Sequence, residues 1–203
     1  MALSVSSPED VINLCLVRMG YKTRIGSIWE GSEASKAALD IYSQTRDETL
    51  MGFDWGFAEG NVPGTLLKSA PIGGYGGIAW STAYPPLPFF YEYAYPADCL
   101  KVRAMKPTPI FLPNFNPQPY VWSVDNDATL TPPAKAISCN VPNAIIVYTR
   151  QVTNPQEWES DFVEALAASL SRRLAPLLVN MDAAKLEAGD EQNALNNARM
   201  MEG

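Results

Sequence analysis

Apolar residues recur at helical spacing towards both ends of the chain and at strand-like intervals in its middle, and that contrast sets the expected architecture. Ser7-Pro8-Glu9-Asp10 offers a capping hydroxyl, a proline preset for the first helical position and acids for the positive end of the helix dipole. Val11, Leu14, Cys15 and Met19 follow at helical spacing, with Arg18 a polar exception on the same face and Gly20 a natural stop. A first helix from Pro8 to Met19 or Gly20 is expected. After a turn-rich stretch anchored by Trp29, Ser32 can cap a second helix from Glu33 to about Met51. Its Ala34, Ala38, Ile41 and Thr45 share a face small enough for close approach of a neighbour. The charged end of that helix, Arg46-Asp47-Glu48, leads into the aromatic anchors Phe53, Trp55 and Phe57.

The helical pattern returns after Asn154-Pro155-Gln156-Glu157. Phe162, Leu166, Leu170 and Leu174 recur every four residues with Val163 and Ala167 beside them, the most strongly amphipathic run in the chain and the expected centre of the core. Pro176 should end or kink this third helix, because proline lacks the backbone donor and clashes with the preceding turn. A fourth helix from Met181 to Met201 is expected, with a thin apolar face of Ala184, Ala188, Leu195 and Ala198 interrupted by Gly189.

Between these ends, from residue 59 to 152, helical periodicity disappears and most of the 17 prolines and 13 glycines are found. Short aromatic and β-branched runs predict strands at Phe89 to Tyr95, Leu100 to Met105, Tyr120 to Val124, Ala128 to Thr131 and Ala144 to Val152. Tyr95-Pro96-Ala97-Asp98 and Asp125-Asn126-Asp127 read as turns, and such short connections imply antiparallel pairing of the strands they join. Asn61 to Pro88 and Lys106 to Pro119 are left as long loops, a kind usually tied to function. The expected fold class is α+β: a helical bundle from segments 1–58 and 153–203, with an inserted antiparallel β-rich region at 59–152 carrying Gly- and Pro-rich loops.

Composition narrows the function classes. At 203 residues and 47% hydrophobic, the chain can bury a sizeable core. Fifteen basic against 22 acidic residues give a net charge of -7, the wrong sign for gripping phosphates by counterion release. No uncharged apolar run approaches the roughly 20 residues of a membrane span, and the first residues lack a secretory leader pattern, so a chain that stays in the cytoplasm where it is made is expected. Cys15, Cys99 and Cys139 are odd in number, far apart and without metal spacing, as expected of reduced thiols.

Histidine is absent, so Ser-His-Asp and Cys-His nucleophile systems cannot be assembled and histidine-liganded zinc is excluded. Gly74, Gly76 and Ala79 match a dinucleotide fingerprint, which needs a preceding strand and a following helix; neither is expected here, and a flexible loop is the simpler reading. Asp125 and Asp127 could open a calcium loop, but Leu130 and Ala136 stand where its glycine and bidentate glutamate belong, so a turn is the better reading. Glu157, Glu159, Asp161 and Glu164 could pair as glycosidase carboxylates, yet acids at a helix N-terminus are explained by the dipole. No catalytic, cofactor-binding or metal-binding residue is expected. The aromatic residues of the two long loops, Tyr75, Trp80, Phe111, Phe115 and Tyr120, are the expected contacts with other subunits or partner proteins.

The order of these motifs resembles the head-to-tail adaptor family of short-tailed bacteriophages, also called connector or tail tubular protein A. The resemblance is carried by Arg46-Asp47-Glu48 leading to Trp55-Gly56-Phe57-Ala58, and by Tyr93-Ala94-Tyr95-Pro96-Ala97-Asp98-Cys99-Leu100-Lys101-Val102, similar to the family's Tyr-x-Leu-Pro-x-Asp-Cys-Leu-Arg-Val pattern. It extends to the helix start Phe162-Val163-Glu164-Ala165-Leu166-Ala167-Ala168 and so spans nearly the whole chain. Asp54, where the family often has proline, Tyr95 in place of leucine, and the long Gly- and Pro-rich loops depart from it. The resemblance implies a structural virion protein of the tail or neck, not an enzyme. It implies a homo-oligomeric ring, typically a dodecamer, docked beneath the portal protein and facing a tail tube or nozzle protein. DNA would pass through its lumen unbound, and the acidic net charge suits such sliding. Two rival readings are a carboxylate-dependent cell-wall hydrolase and a cytoplasmic binding module that uses Pro107 to Pro119 as a ligand for a partner domain.

Overall fold

A computed structural model describes residues 5–108 and 120–178, and the chain within it is mixed α+β, with three α-helices and two antiparallel sheets. It divides into two compact units, one formed by the segments up to Ala58 and from Gln151 onwards, the other by Glu59–Arg150.

The helical unit starts where its local chemistry dictates. α1 (Pro8–Arg18) opens with a reciprocal capping box: Ser7 Oγ accepts from the Asp10 N–H at 3.3 Å, and Asp10 Oδ2 accepts from the Ser7 N–H at 3.0 Å. Gly20 takes up φ +71° just past the end of α1, the left-handed conformation that releases a chain from a helix. Asn13 then ties down the following segment, donating to the Ile25 carbonyl at 2.9 Å and accepting from its N–H at 2.8 Å. α2 (Glu33–Gly52) is capped by Ser32, whose hydroxyl accepts from the Ser35 N–H.

α3 (Ser160–Leu178) buries Phe162, Leu166, Leu170 and Leu174 as its spacing requires, and also Ala165, Ala167 and Ala168, so it is apolar on more than one face. It packs against both α1 and α2. Ser171 Oγ donates to the Cys15 carbonyl, Arg18 pairs with Glu164 at 2.7 Å, and Arg173 pairs with Glu48. Arg18 is therefore no exception to the pattern; it lies on the packed side of α1 because its partner is there. Phe162 is the hub of an aromatic cluster, with Trp55, Phe57 and Trp158 ring centroids 5.2 to 5.3 Å away in edge-on contact. Trp55 is fixed further by its indole N–H, which donates to the Thr49 carbonyl. Pro176 does not stop α3, which continues through it to Leu178, the last residue described in this segment. The expected fourth helix at 181–201 lies outside the described residues.

The β unit contains a three-stranded sheet in the order β1-β7-β4, built from β1 (Glu59–Pro63), β7 (Ile145–Arg150) and β4 (Cys99–Lys106). A four-stranded sheet has the order β2-β3-β6-β5, from β2 (Leu66–Ser69), β3 (Tyr91–Ala94), β6 (Ala134–Cys139) and β5 (Trp122–Asp127). Every pairing is antiparallel. Tyr93 and Ile137 from the larger sheet and Val102, Met105, Ile146 and Tyr148 from the smaller form one shared apolar core.

Four expectations are corrected. β1 and β2 occupy part of what reads as the loop Asn61 to Pro88. Ala128 to Thr131 is turn, and the strand that pairs with β5 begins at Ala134. Asp125 to Asp127 belong to β5 rather than to a turn. Finally, Tyr95 to Asp98 does not join paired strands: β3 pairs with β2 and β6, while β4 pairs with β7, so this link carries the chain from one sheet to the other. Asp98 nevertheless has a fixed place, its carboxylate accepting from the Tyr148 hydroxyl at 2.9 Å. Burial and that acceptor push the Tyr148 phenol up to about 12.

Candidate functional site

Strand alternation divides the four-stranded sheet into an apolar face and a polar one. Tyr91 and Tyr93 of β3 turn towards the shared core, which places Glu92 between them on the opposite face. Register then aligns Lys68 of β2 and Ser138 of β6 with Glu92 in one row across three strands. Asp127, at the end of β5, reaches the same place. Lys68 Nζ stands 2.7 Å from Asp127 Oδ2 and 3.4 Å from Glu92 Oε1. Asp127 Oδ1 accepts from both the N–H and the hydroxyl of Thr129.

The two carboxyl groups are driven in opposite directions. Burial, and after it the Asp127 carboxylate alongside, push Glu92 above the ordinary glutamate range, with Lys68 offsetting part of the effect. Burial would raise Asp127 as well, but the Lys68 ammonium, the two Thr129 donors and Glu92 outweigh it and hold Asp127 far below the usual carboxylate range. Lys68 is itself held charged, its burial outweighed by the two acids. The Asp127 carboxylate and the Lys68 ammonium thus offset each other's charge, and Glu92 is the acid beside them that ionises less readily.

The segment after β2 covers this face. Trp80 Nε1 donates to the Pro85 carbonyl at 2.8 Å and the Tyr75 hydroxyl to the same oxygen at 3.3 Å, while Tyr75 also meets Tyr84 edge-on and stacks on Phe90. Trp80, Tyr84 and Pro86 form the wall of a pocket of about 200 Å³ whose floor is Lys68, Glu92, Asp127 and Ser138. The floor is deeply covered: Glu92 is 2% exposed and Ser138 1%. Ser138 Oγ makes no hydrogen bond, and Glu92 Oε1 is met by the Lys68 ammonium at 3.4 Å.

The sequence-based contact residues fall in different places. Tyr75 is half-buried within its own segment, Trp80 is 47% exposed and lines the pocket, and Tyr120 packs against the β core. Phe111 and Phe115 lie outside the described residues. The acids at the start of α3 are not gathered into a site, Glu164 being committed to Arg18. The Gly74-x-Gly76 stretch lies among turns rather than between a strand and a helix. Among the described residues, no three acids or cysteines cluster in a way that could hold a metal ion, and no helix is long and apolar enough to cross a membrane. Comparison with protein-family models and with curated proteins finds no match.

The polar row was missed because its members are scattered from residue 68 to 138 and meet only through the non-sequential strand order. One signal was available. Glu92, flanked by Tyr91 and Tyr93 in a strand-like run, alternates onto the face opposite the tyrosines, where an acid calls for a cationic partner once that face is covered.

Proposed function

We propose that the protein is a ring-forming adaptor that joins the portal vertex of a phage capsid to the tail and surrounds the DNA exit channel. In this reading the helices form a bundle that makes the ring, and the β unit reaches neighbouring subunits or tail proteins. The observation that carries the reading is the run of exposed apolar side chains between β2 and β3: Ile72, Ile78, Trp80, Leu87 and Phe90 all face solvent. Apolar side chains concentrated in one exposed segment favour a role in contact with other proteins. The motifs behind the family resemblance support it in a second way. Trp55, Tyr93 and Asp98 are packing and hydrogen-bonding residues, as suits a family defined by assembly.

The test is to replace Ile72, Ile78 and Leu87 together by serine and to mix the purified protein with portal rings. These side chains are exposed, so the melting temperature should hold while docked rings vanish from electron micrographs. Complete rings formed by the triple variant would remove the support that this segment gives.

A further inference from the structure

We propose that the pocket above the four-stranded sheet binds one neutral sugar ring. The charges on its floor exclude the alternatives first. A cationic ligand would be brought against the Lys68 ammonium, and an anionic one against Asp127 and the exposed Asp125 at the rim. A neutral ligand meets neither penalty. It must still be polar, because Ser138 Oγ is buried in the floor without a hydrogen bond, Glu92 Oε1 beside it is met only by the Lys68 ammonium at 3.4 Å, and buried polar groups in folded proteins are almost always fully paired.

Sugar hydroxyls suit both atoms. A hydroxyl donates and accepts, so it satisfies the serine hydroxyl and the Glu92 carboxyl in whichever protonation state the latter adopts. The wall supplies the other half of the recognition. Trp80, held by its bond to the Pro85 carbonyl, continues with Tyr84 and Pro86 into an apolar surface against which the C–H side of a pyranose can lie. At about 200 Å³ the pocket is smaller than the roughly 300 Å³ at which drug-sized sites begin, so it takes a single ring rather than a chain.

The experiment is saturation-transfer NMR on the full chain with methyl glycosides of glucose, galactose, mannose, rhamnose and N-acetylglucosamine at millimolar concentration. Transfer to the ring C–H protons of at least one glycoside is expected. Trp80→Ala should abolish it, and Ser138→Ala should weaken binding by about tenfold, with melting unchanged in both. Should Ser138→Ala fail to fold, the half-exposed Trp80 still carries the test. Polysaccharides ending in the same sugar distinguish a terminal glycan residue, which they would present equally well, from a free sugar, for which they would not compete. Absence of transfer from all five glycosides, transfer that survives Trp80→Ala, or equal transfer to N-acetyl-glutamine amide, the mark of a protein side-chain site, would overturn the proposal.

Discussion

Gly64 stands so close to Tyr93 that a Cβ at this position would meet the ring Cδ1 at 2.6 Å. The same glycine donates its N–H to the Ala144 carbonyl at 2.7 Å, while the Tyr93 hydroxyl donates to the Val141 carbonyl at 2.7 Å. Ring and backbone are thus fixed from both sides. Gly64→Ala should cost about 1–3 kcal/mol, the usual range for forcing extra atoms into a packed core. Urea unfolding of the variant checks it, and an unchanged midpoint would mean that Tyr93 yields freely.

Leu166→Asp should prevent folding. Leu166 is fully buried on α3, and an unpaired carboxylate there would cost several kcal/mol, a large part of a typical domain's stability. Circular dichroism and a melting scan would decide; a cooperatively melting, helical Leu166→Asp protein would show that α3 is not central.

Glu92 and Asp127 should give opposite pH signatures. The raised Glu92 carboxyl favours the fold while protonated, so its contribution is complete below the ordinary value of 4.5 and is lost as pH rises through the raised value. Asp127 contributes above its ordinary 3.8, and that contribution is lost as pH falls through its lowered value. Glu92→Gln removes only the first effect. Its melting temperature should therefore exceed that of the wild type by a margin that widens above about pH 4.5 and closes below it. A margin that does not vary with pH would contradict this assignment. Asp127→Asn, which strips Lys68 of its ionised partner, should instead destabilise by about 3 kcal/mol at neutral pH.

Duplex DNA should not bind stably at physiological salt. A net charge of -7 provides no surplus of cations from which phosphate contacts could release counterions. Filter binding measures this directly, and sub-micromolar affinity that falls steeply with added salt would refute it.

What could be read in the sequence was what is decided locally. Ser7-Pro8-Glu9-Asp10 and Ser32 announce helix starts because a cap is made by residues a few positions apart, and the four-residue recurrence from Phe162 to Leu174 announces its own buried face. β1 and β2 were hidden because Gly60, Pro63 and Gly64 look like loop, whereas the glycines at 60 and 64 are there to admit the Tyr148 and Tyr93 rings. β6 was hidden by Ala134-Lys135-Ala136, which has little intrinsic strand preference and follows two prolines. Asp125-Asn126-Asp127 looks like a turn in isolation; Asp127 sits at a strand end because Lys68, nearly sixty positions earlier in the chain, neutralises it.

Glu59, the first residue of β1, and Thr149, in β7, face each other as register partners. The β unit therefore begins and ends at one doorway. Its whole length can be lengthened, shortened or exchanged for another fold without altering the gap that the helical segments must bridge. A lineage could refit this part for a new partner while inheriting the rest intact, and a short Gly-Ser bridge from Ala58 to Gln151 is the corresponding laboratory graft.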